Sequence, residues 1–150
     1  NITEYQHRIQ LALDELIKSG ASKDKIVIIG YCFGGTGAVE AARINMPVKG
    51  IVSFHGGLGR DSNRVVTNIF PRLLICHGAD DPYESKEEIS LFQDEMRKGK
   101  ADWQMNYYAN AVHAFTEKTA GDDNSRGAAY NFNADKRSWA DFMNFLQSVL

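Results

Sequence analysis

The chain has 150 residues, 43% of them hydrophobic, and its 17 Lys and Arg against 19 Asp and Glu give a formal net charge of −2. A chain of this length buries about 68–70% of the surface of its unfolded form, so it can fold as one domain without a disulfide or a metal. The balanced charge is atypical of proteins that bind nucleic acids or membrane surfaces. No apolar run approaches the roughly 20 residues of a membrane span, and no secretory segment opens the chain. We therefore expect neither nucleic acid nor a membrane as a partner.

The cysteines and histidines argue against a metal site and a disulfide framework. The only cysteines are Cys32 and Cys76, which is typical of free thiols in a reducing compartment and predicts a cytoplasmic protein. No Cys-x-x-Cys or His-x-x-x-His pair occurs, and the adjacent Cys76 and His77 would point to opposite sides of a strand. A disulfide or shared metal between Cys32 and Cys76 would need the two sulfurs close together. We expect them far apart, with Cys76 in the core.

The chain begins with an amphipathic helix, predicted over residues 3–19. Its apolar residues recur every three or four positions, Thr3 and Gln6 have the spacing of a capping box, and Gly20 stands where a helix ends. Three more helices are predicted: one over 38–44 that Pro47 ends, one that begins with the capping box of Ser85 and Glu88 and ends at Gly99, and one over 134–149.

Four apolar runs predict strands, and they alternate with these helices: 25–29, 49–54, 72–76 and 103–108. The first run, Lys-Ile-Val-Ile-Ile, is typical of a strand buried on both faces in a parallel sheet. Alternating strands and helices indicate an α/β fold, with a mostly parallel sheet of about four strands and helices on both faces. The long connections 55–71 and 109–133 leave the carboxyl ends of strands, the edge at which such sheets bind ligands.

The segment after the first strand, Gly30-Tyr31-Cys32-Phe33-Gly34-Gly35, has the pattern of a nucleophile elbow with Cys32 as the nucleophile. The glycines on either side of such a residue let the strand and the helix approach closely. Cys32 would face the N-terminus of the next helix, whose partial positive charge favours the reactive thiolate. The backbone N–H of Phe33 would be one donor of an oxyanion hole, while the alternative is that Cys32 is a small buried apolar residue.

A nucleophile of this kind needs a base and a carboxylate, which follow it along the chain in that fold in the order nucleophile, acid, histidine. His113 follows the fourth strand and is the best base, since His7 lies in the first helix and His55 and His77 end earlier strands. Asp80 and Asp81 both follow the third strand, and these residues alone leave the choice between them open. His55 ends the second strand beside the elbow, so it is a candidate for the pocket wall, as are Tyr31 and Phe115.

With these segments in place, the sequence resembles the dienelactone hydrolase family of α/β hydrolases. The resemblance lies in the elbow, in His77-Gly78-Ala79-Asp80-Asp81-Pro82, in Val112-His113-Ala114-Phe115 and in the tail from Gly127 to Trp139. It implies Asp81 as the acid and hence a Cys32, Asp81 and His113 triad that hydrolyses a small ester, lactone or thioester through an acyl-enzyme, without cofactor or metal. The family has an arginine where this chain has Glu117, which disfavours a carboxylate-bearing substrate such as dienelactone.

The family fold begins with strands that would precede the first helix of this chain. The resemblance therefore implies that residues 1–150 form a single domain, the C-terminal part of a dienelactone hydrolase-like α/β-hydrolase domain. The strand before the elbow would then have a free edge, which we expect to be covered by a second copy of the chain or by the N-terminal portion. A different class of function is a non-catalytic module with the same fold, or an inactive fragment, that binds a small molecule or another chain.

Overall fold

The computed structural model describes residues 1–150 and contains one parallel sheet with four main helices. Helices and strands follow in the order α1 (Ile2–Lys18), β1 (Val27–Tyr31), α2 (Phe33–Arg43), β2 (Gly50–Phe54), β3 (Arg72–Gly78), α3 (Lys86–Lys98), β4 (Trp103–Tyr108) and α4 (Phe132–Val149). Two short 3-10 helices, Lys118–Ala120 and Asn124–Arg126, lie between β4 and α4. No helix of the structure is both long enough and apolar enough to cross a membrane.

The strand order is β1-β2-β3-β4 and every neighbouring pair is parallel. One face of the sheet packs against α2 and α3 through a core that includes Val39, Ile51, Leu73, Phe92 and Met96. The other face packs against α4 through Val52, Phe54, Leu74, Phe142 and Phe145. The predicted α/β architecture, with about four parallel strands and helices on both faces, is therefore confirmed.

The strand before the elbow is less buried than its sequence predicts. It begins two residues later than expected, at Val27, and pairs only with β2, so it forms an edge of the sheet. Because α4 covers β2 and β3, Ile29 and Tyr31 remain exposed on that side, and the prediction of a strand buried on both faces is wrong. Tyr31 instead lies against Phe54, with the ring centroids 4.6 Å apart.

The predicted and observed ends of a helix agree best where neighbouring residues form a capping motif. Ser85 and Glu88 form the predicted capping box of α3, and Gly99 follows its last turn. For α1 the predicted box is wrong, because Asn1 caps the helix and Gln6 instead donates to Glu40 of α2 at 2.7 Å.

The predicted apolar stripe of α4 is only partly buried. The sequence places Trp139, Phe142, Met143, Leu146 and Val149 on that stripe. The structure packs the helix through its buried residues Ala134, Ser138, Phe142 and Phe145, and leaves Trp139 and Met143 exposed. A helix of this length can turn by one residue and still bury an apolar face, so neighbouring elements rather than periodicity decide the orientation.

Buried charges hold the 55–71 connection against α2 and α3. The Arg43 guanidinium contacts Glu40 at 2.7 Å and Glu95 at 2.8 Å, and the side chains of all three are almost completely buried. Arg43 also donates to the carbonyl oxygen of Leu58 at 2.7 Å. Burial alone would raise the pKa of Glu40, but hydrogen bonds from Arg64 and Arg43 outweigh it and keep the pKa below its ordinary value.

This network predicts a large stability cost for Arg43→Met. The variant leaves the buried carboxylates of Glu40 and Glu95 short of a partner, so the free energy of unfolding should fall by about 3–5 kcal/mol. Urea denaturation at neutral pH measures the change, and Arg97→Met, which removes an exposed pair with Asp94, is the matched control and should leave the midpoint nearly unchanged. Equal losses for the two variants would contradict the importance of the buried network.

Candidate active site

Cys32 lies in a sharp turn between β1 and α2, with φ 51° and ψ −119°. A Cβ at position 30 would overlap the carbonyl oxygen of Gly34, and one at position 35 would lie 2.7 Å from Ser53 Oγ and 2.9 Å from Gly56 Cα. Gly30 and Gly35 are thus needed for the close approach of the backbones. The sequence also predicts that Gly34 is needed for this close approach. That prediction is wrong, because a Cβ at position 34 would meet nothing within 4 Å.

The turn exposes Cys32 at the carboxyl edge of the sheet and begins α2 directly after it. Phe33 is the first residue of that helix, so its backbone N–H has no acceptor within the helix. The Phe33 ring stacks on Tyr5 of α1 at a centroid distance of 4.4 Å, and the Tyr5 hydroxyl donates to the Phe33 carbonyl oxygen at 2.5 Å. The first helix therefore supports the elbow from outside the sheet.

The structure brings His113, Cys32 and Asp81 together. The His113 Nε2 atom lies 3.1 Å from Cys32 Sγ, and its Nδ1 atom lies 3.0 Å from Asp81 Oδ2. His113 itself is held by the tail of the chain, because its N–H donates to the Gly127 carbonyl at 3.2 Å and its carbonyl accepts from the Ala129 N–H at 3.0 Å. The three side chains thus form a continuous path from sulfur through imidazole to carboxylate.

Of the two adjacent aspartates, Asp81 is the one at the histidine. Its side chain is only 1% exposed, and its Oδ1 atom accepts from the Tyr83 backbone N–H at 2.9 Å. Asp80 is exposed. Burial alone would raise the pKa of Asp81, but hydrogen bonds from His113 and the Tyr83 N–H outweigh it and hold the pKa below its ordinary value. Asp81 is therefore a carboxylate at neutral pH.

His113 carries a positive charge in this arrangement. Its hydrogen bond to Asp81 is the main reason that its pKa rises from 6.5 to about 9, with a smaller contribution from Cys32 and an opposing one from partial burial. The protonated ring donates from Nδ1 to Asp81 and from Nε2 to the sulfur. The neighbouring His55 has the opposite shift, since its burial lowers its pKa to about 4.

His55 lies beneath the elbow and contacts it directly. Its Nδ1 atom accepts from the Cys32 backbone N–H at 3.2 Å, and its Nε2 atom lies 2.8 Å from the Thr116 hydroxyl. The neutral ring therefore carries its proton on Nε2, which donates to Thr116, since Nδ1 accepts. His55 thus joins the backbone of Cys32 to the loop that carries His113, a link that sequence patterns did not indicate.

A cavity of about 560 Å³ opens beside the sulfur, and we call it the Cys32 cleft; it is lined by Tyr31, Cys32, His55, Ala114, Thr116, Glu117 and Asp135. Tyr31 and His55 line it as the sequence predicts. Phe115 does not, because it is completely buried behind His55, with ring centroids 5.0 Å apart. Thr116 and Asp135 were not among the candidates, and only the position of α4 on the assembled sheet could have indicated Asp135. Elsewhere, Cys76 is fully buried, both cysteines are free, and no group of three His, Cys, Asp or Glu side chains is arranged to hold a metal ion.

Comparison with known proteins agrees with this fold. The model of the dienelactone hydrolase family matches residues 3–150. The chain belongs to the dienelactone hydrolase family. It is therefore a member of a family of hydrolases with the α/β-hydrolase fold, as its sequence motifs imply.

Two solved structures are similar over nearly the whole chain. One is the dienelactone hydrolase-like promiscuous phosphotriesterase P91 from metagenomic libraries, which is 39% identical with a TM-score of 0.90 over 98% of this chain. The other, m3DLH, is 36% identical with a TM-score of 0.91 over 99%. The chain spans 62% of the length of each of these two proteins. A Caenorhabditis elegans relative, "Uncharacterized protein K02A2.1", is 29% identical over 95% of this chain and 92% of its own length.

The Asp81 contact predicts how His113 titrates. In Asp81→Asn the pKa of His113 should fall from about 9 by more than one pH unit, because the largest cause of its elevation is removed. Titration of the ring by ¹H–¹⁵N NMR measures this, and Asp80→Asn is the control that removes the adjacent charge. An unchanged pKa in Asp81→Asn would contradict the assignment.

The raised pKa of His113 also makes stability depend on pH. Because the folded state holds this proton more tightly than an ordinary histidine of pKa 6.5, its contribution to stability is complete below pH 6.5 and is lost as the pH rises towards 9.

His55 predicts a pH dependence of the opposite sign. Its pKa of about 4 lies below the ordinary 6.5, so the stability it contributes is present above pH 6.5 and is lost as the pH falls to 4. His55→Phe keeps a flat ring but cannot be protonated. At neutral pH the variant should be about 1–2 kcal/mol less stable than the parent, because two hydrogen bonds are lost. This difference in stability should be smaller at pH 4. Urea midpoints across this range measure the difference, and a constant difference would refute the neutral-ring role.

Proposed function

We propose that this protein hydrolyses a small carboxylic ester, lactone or thioester through Cys32, His113 and Asp81. The observation that carries the proposal is the path of 3.1 Å and 3.0 Å contacts from sulfur to imidazole to carboxylate, at a cysteine held in an elbow turn beside an open cleft. Membership in the dienelactone hydrolase family supports the reaction class.

In the first half of the reaction, the Cys32 sulfur attacks the carbonyl carbon of the ester. A sulfur–carbon bond forms, the proton of the thiol resides on His113 Nε2, and the carbonyl oxygen becomes an oxyanion. The free N–H of Phe33 points from the first turn of α2 and supplies one hydrogen bond to that oxyanion. The carbon–oxygen bond then breaks, and His113 gives its proton to the departing alkoxide. The product is an alcohol and a thioester on Cys32; in a lactone, the alcohol stays attached to the acyl group.

In the second half, water attacks the thioester carbonyl. His113 takes a proton from the water, a carbon–oxygen bond forms, and the carbon–sulfur bond breaks to release the acid and restore Cys32. Asp81 fixes the ring with Nδ1–H towards its carboxylate, so that Nε2 faces the sulfur in both halves. Nothing in this sequence of steps needs a cofactor or a metal ion.

A phosphotriester is a second candidate substrate. A relative that is 39% identical over 98% of the chain is a promiscuous phosphotriesterase. The same sulfur would attack phosphorus in place of carbon, with an alkoxide or aryloxide as the leaving group. Carboxylic esters remain the first choice, because the family is named for a lactone hydrolase.

The proposal predicts that Cys32 variants lose turnover of an activated ester. With p-nitrophenyl acetate, Cys32→Ala and Cys32→Ser should lower kcat/KM by at least about a thousandfold, since removal of one member of a nucleophile–base unit disables all of it. Cys76→Ala removes the buried cysteine and is the control that should keep turnover. Absorbance of released p-nitrophenol measures the rate in the folded variants, whose circular dichroism spectra must match the parent. Turnover that persists in Cys32→Ala would refute Cys32 as the nucleophile, and no thiol-dependent turnover in the parent would favour a non-catalytic binding module.

A further inference from the structure

We propose that the Cys32 cleft selects its substrates by charge, taking esters whose acyl group is uncharged or positively charged and disfavouring those that carry a carboxylate. The inference rests on the proposed function of Cys32 as the nucleophile in that cleft, and it names the class of substrate that reaches it.

Acidic side chains enter the cleft from two separate parts of the chain. Glu117 comes from the loop that carries His113, and Asp135 comes from the first turn of α4. The other lining residues are Tyr31, Cys32, His55, Ala114 and Thr116, so no lysine or arginine contributes to the wall. A substrate carboxylate in this cleft would therefore meet two negative charges without a basic side chain to pair with.

Both carboxylates are fixed in place by neighbouring hydrogen bonds. Glu117 Oε1 accepts from the Thr119 backbone N–H at 2.9 Å and from the Thr119 hydroxyl at 2.7 Å, and these bonds keep the pKa of Glu117 below its ordinary value. Asp135 Oδ2 accepts from the Tyr130 hydroxyl at 3.0 Å. The second oxygen of each group, Oε2 of Glu117 and Oδ1 of Asp135, receives no hydrogen bond from the chain. Each residue thus presents a positioned acceptor that is still available to a ligand.

Three basic residues near the cleft are paired, neutral or directed elsewhere. His113 is the cation of the site, but it is bonded to Asp81 on one side and to Cys32 on the other. His55 is neutral, because its pKa is lowered to about 4. Lys136 follows Asp135, yet its ammonium lies over the Phe132 ring, 5.8 Å from the centroid. None of these groups offsets Glu117 and Asp135 for an incoming anion.

The physical consequence is a selectivity that depends on ionic strength. Asp135 is half-buried and Glu117 is exposed, so both charges act on an incoming anion through a medium that is largely water. Salt screens them over a Debye length of about 10 Å at 0.1 M ionic strength. The penalty against an anion should therefore shrink as salt is added, whereas the rate for an uncharged compound should stay nearly constant.

Alkylation of Cys32 tests the inference without any ester turnover. The sulfur displaces iodide from uncharged iodoacetamide or from anionic iodoacetate, and the buried Cys76 does not compete. The ratio of the iodoacetate rate to the iodoacetamide rate is divided by the same ratio for the free thiol N-acetylcysteine amide. This normalised ratio should lie about tenfold below 1 at low salt. The double variant Glu117→Gln with Asp135→Asn should raise the normalised ratio by about fivefold or more, since both amides keep an oxygen that accepts the local hydrogen bonds.

The matched control removes a carboxylate far from the cleft. Glu15→Gln loses one exposed charge on α1, ten residues along the helix from Tyr5, or about 15 Å. It should leave the normalised ratio unchanged. Equal ratios for the parent chain and the free thiol, or a double variant that behaves like Glu15→Gln, would overturn the charge selection.

Turnover of three matched esters then separates this inference from the proposed function. The substrates are the p-nitrophenyl esters of pentanoic acid, of glutaric acid with its free carboxylate, and of γ-trimethylammoniobutyric acid. We expect Cys32-dependent kcat/KM to be lowest for the glutarate ester, by about tenfold against pentanoate, and to be at least as high for the cationic ester as for pentanoate. Cys32-dependent turnover with no preference among the esters keeps the function and overturns the selectivity. Selective alkylation without turnover of any ester keeps the selectivity and overturns the function.

Discussion

The backbone of Cys32 is the constraint on which the rest of the site depends. A non-glycine residue at φ 51° and ψ −119° costs about 1–3 kcal/mol, and it persists only where the surroundings over-determine it. Here the Cys32 N–H is held by the Phe54 carbonyl at 3.0 Å and by His55 Nδ1 at 3.2 Å. Backbone contacts at Gly30 and Gly35 leave no room for the turn to relax. The sulfur is thereby fixed outside the sheet, at the start of α2.

The parallel sheet brings the partners of that sulfur to the same edge. Cys32 follows β1, Asp81 follows β3 and His113 follows β4, and parallel strands end side by side. The tail of the chain then fixes His113 by pairing its backbone with Gly127 and Ala129. Segments that are distant in sequence thus converge because of topology, while their hydrogen bonds fix the distances. The same convergence brings Glu117 and Asp135 into the cleft and gives it a negative wall.

Much of the fold follows from local chemistry that the sequence displays directly. The α3 capping box, the exact span of β4 and the strand–turn–helix around Cys32 depend on residues close together in the chain, and the structure has all three. Features that depend on packing could not be predicted in this way. The exposure of Ile29 and Tyr31 on β1, the buried face of α4 and the burial of Phe115 are decided by which elements lie alongside them.

The residues of the site also fall into those that sequence motifs indicate and those that only packing reveals. Motif order points to Cys32 and His113, whereas the residues alone leave Asp80 and Asp81 equivalent; a difference of one position in a turn decides which carboxylate is buried against the ring. The bond from His55 to the Cys32 N–H, and its contact with Thr116, join segments with no common motif. Such contacts become visible only when the sheet edge is assembled.

The central claim is that Cys32 forms a covalent acyl intermediate. The most direct measurement is the intact mass of the protein within seconds of mixing with p-nitrophenyl acetate, followed by peptide mapping of the adduct. We expect one acetyl group on Cys32 that disappears as substrate is exhausted. An acetyl group on another residue, or hydrolysis with no adduct on Cys32 under rapid quenching, would contradict it.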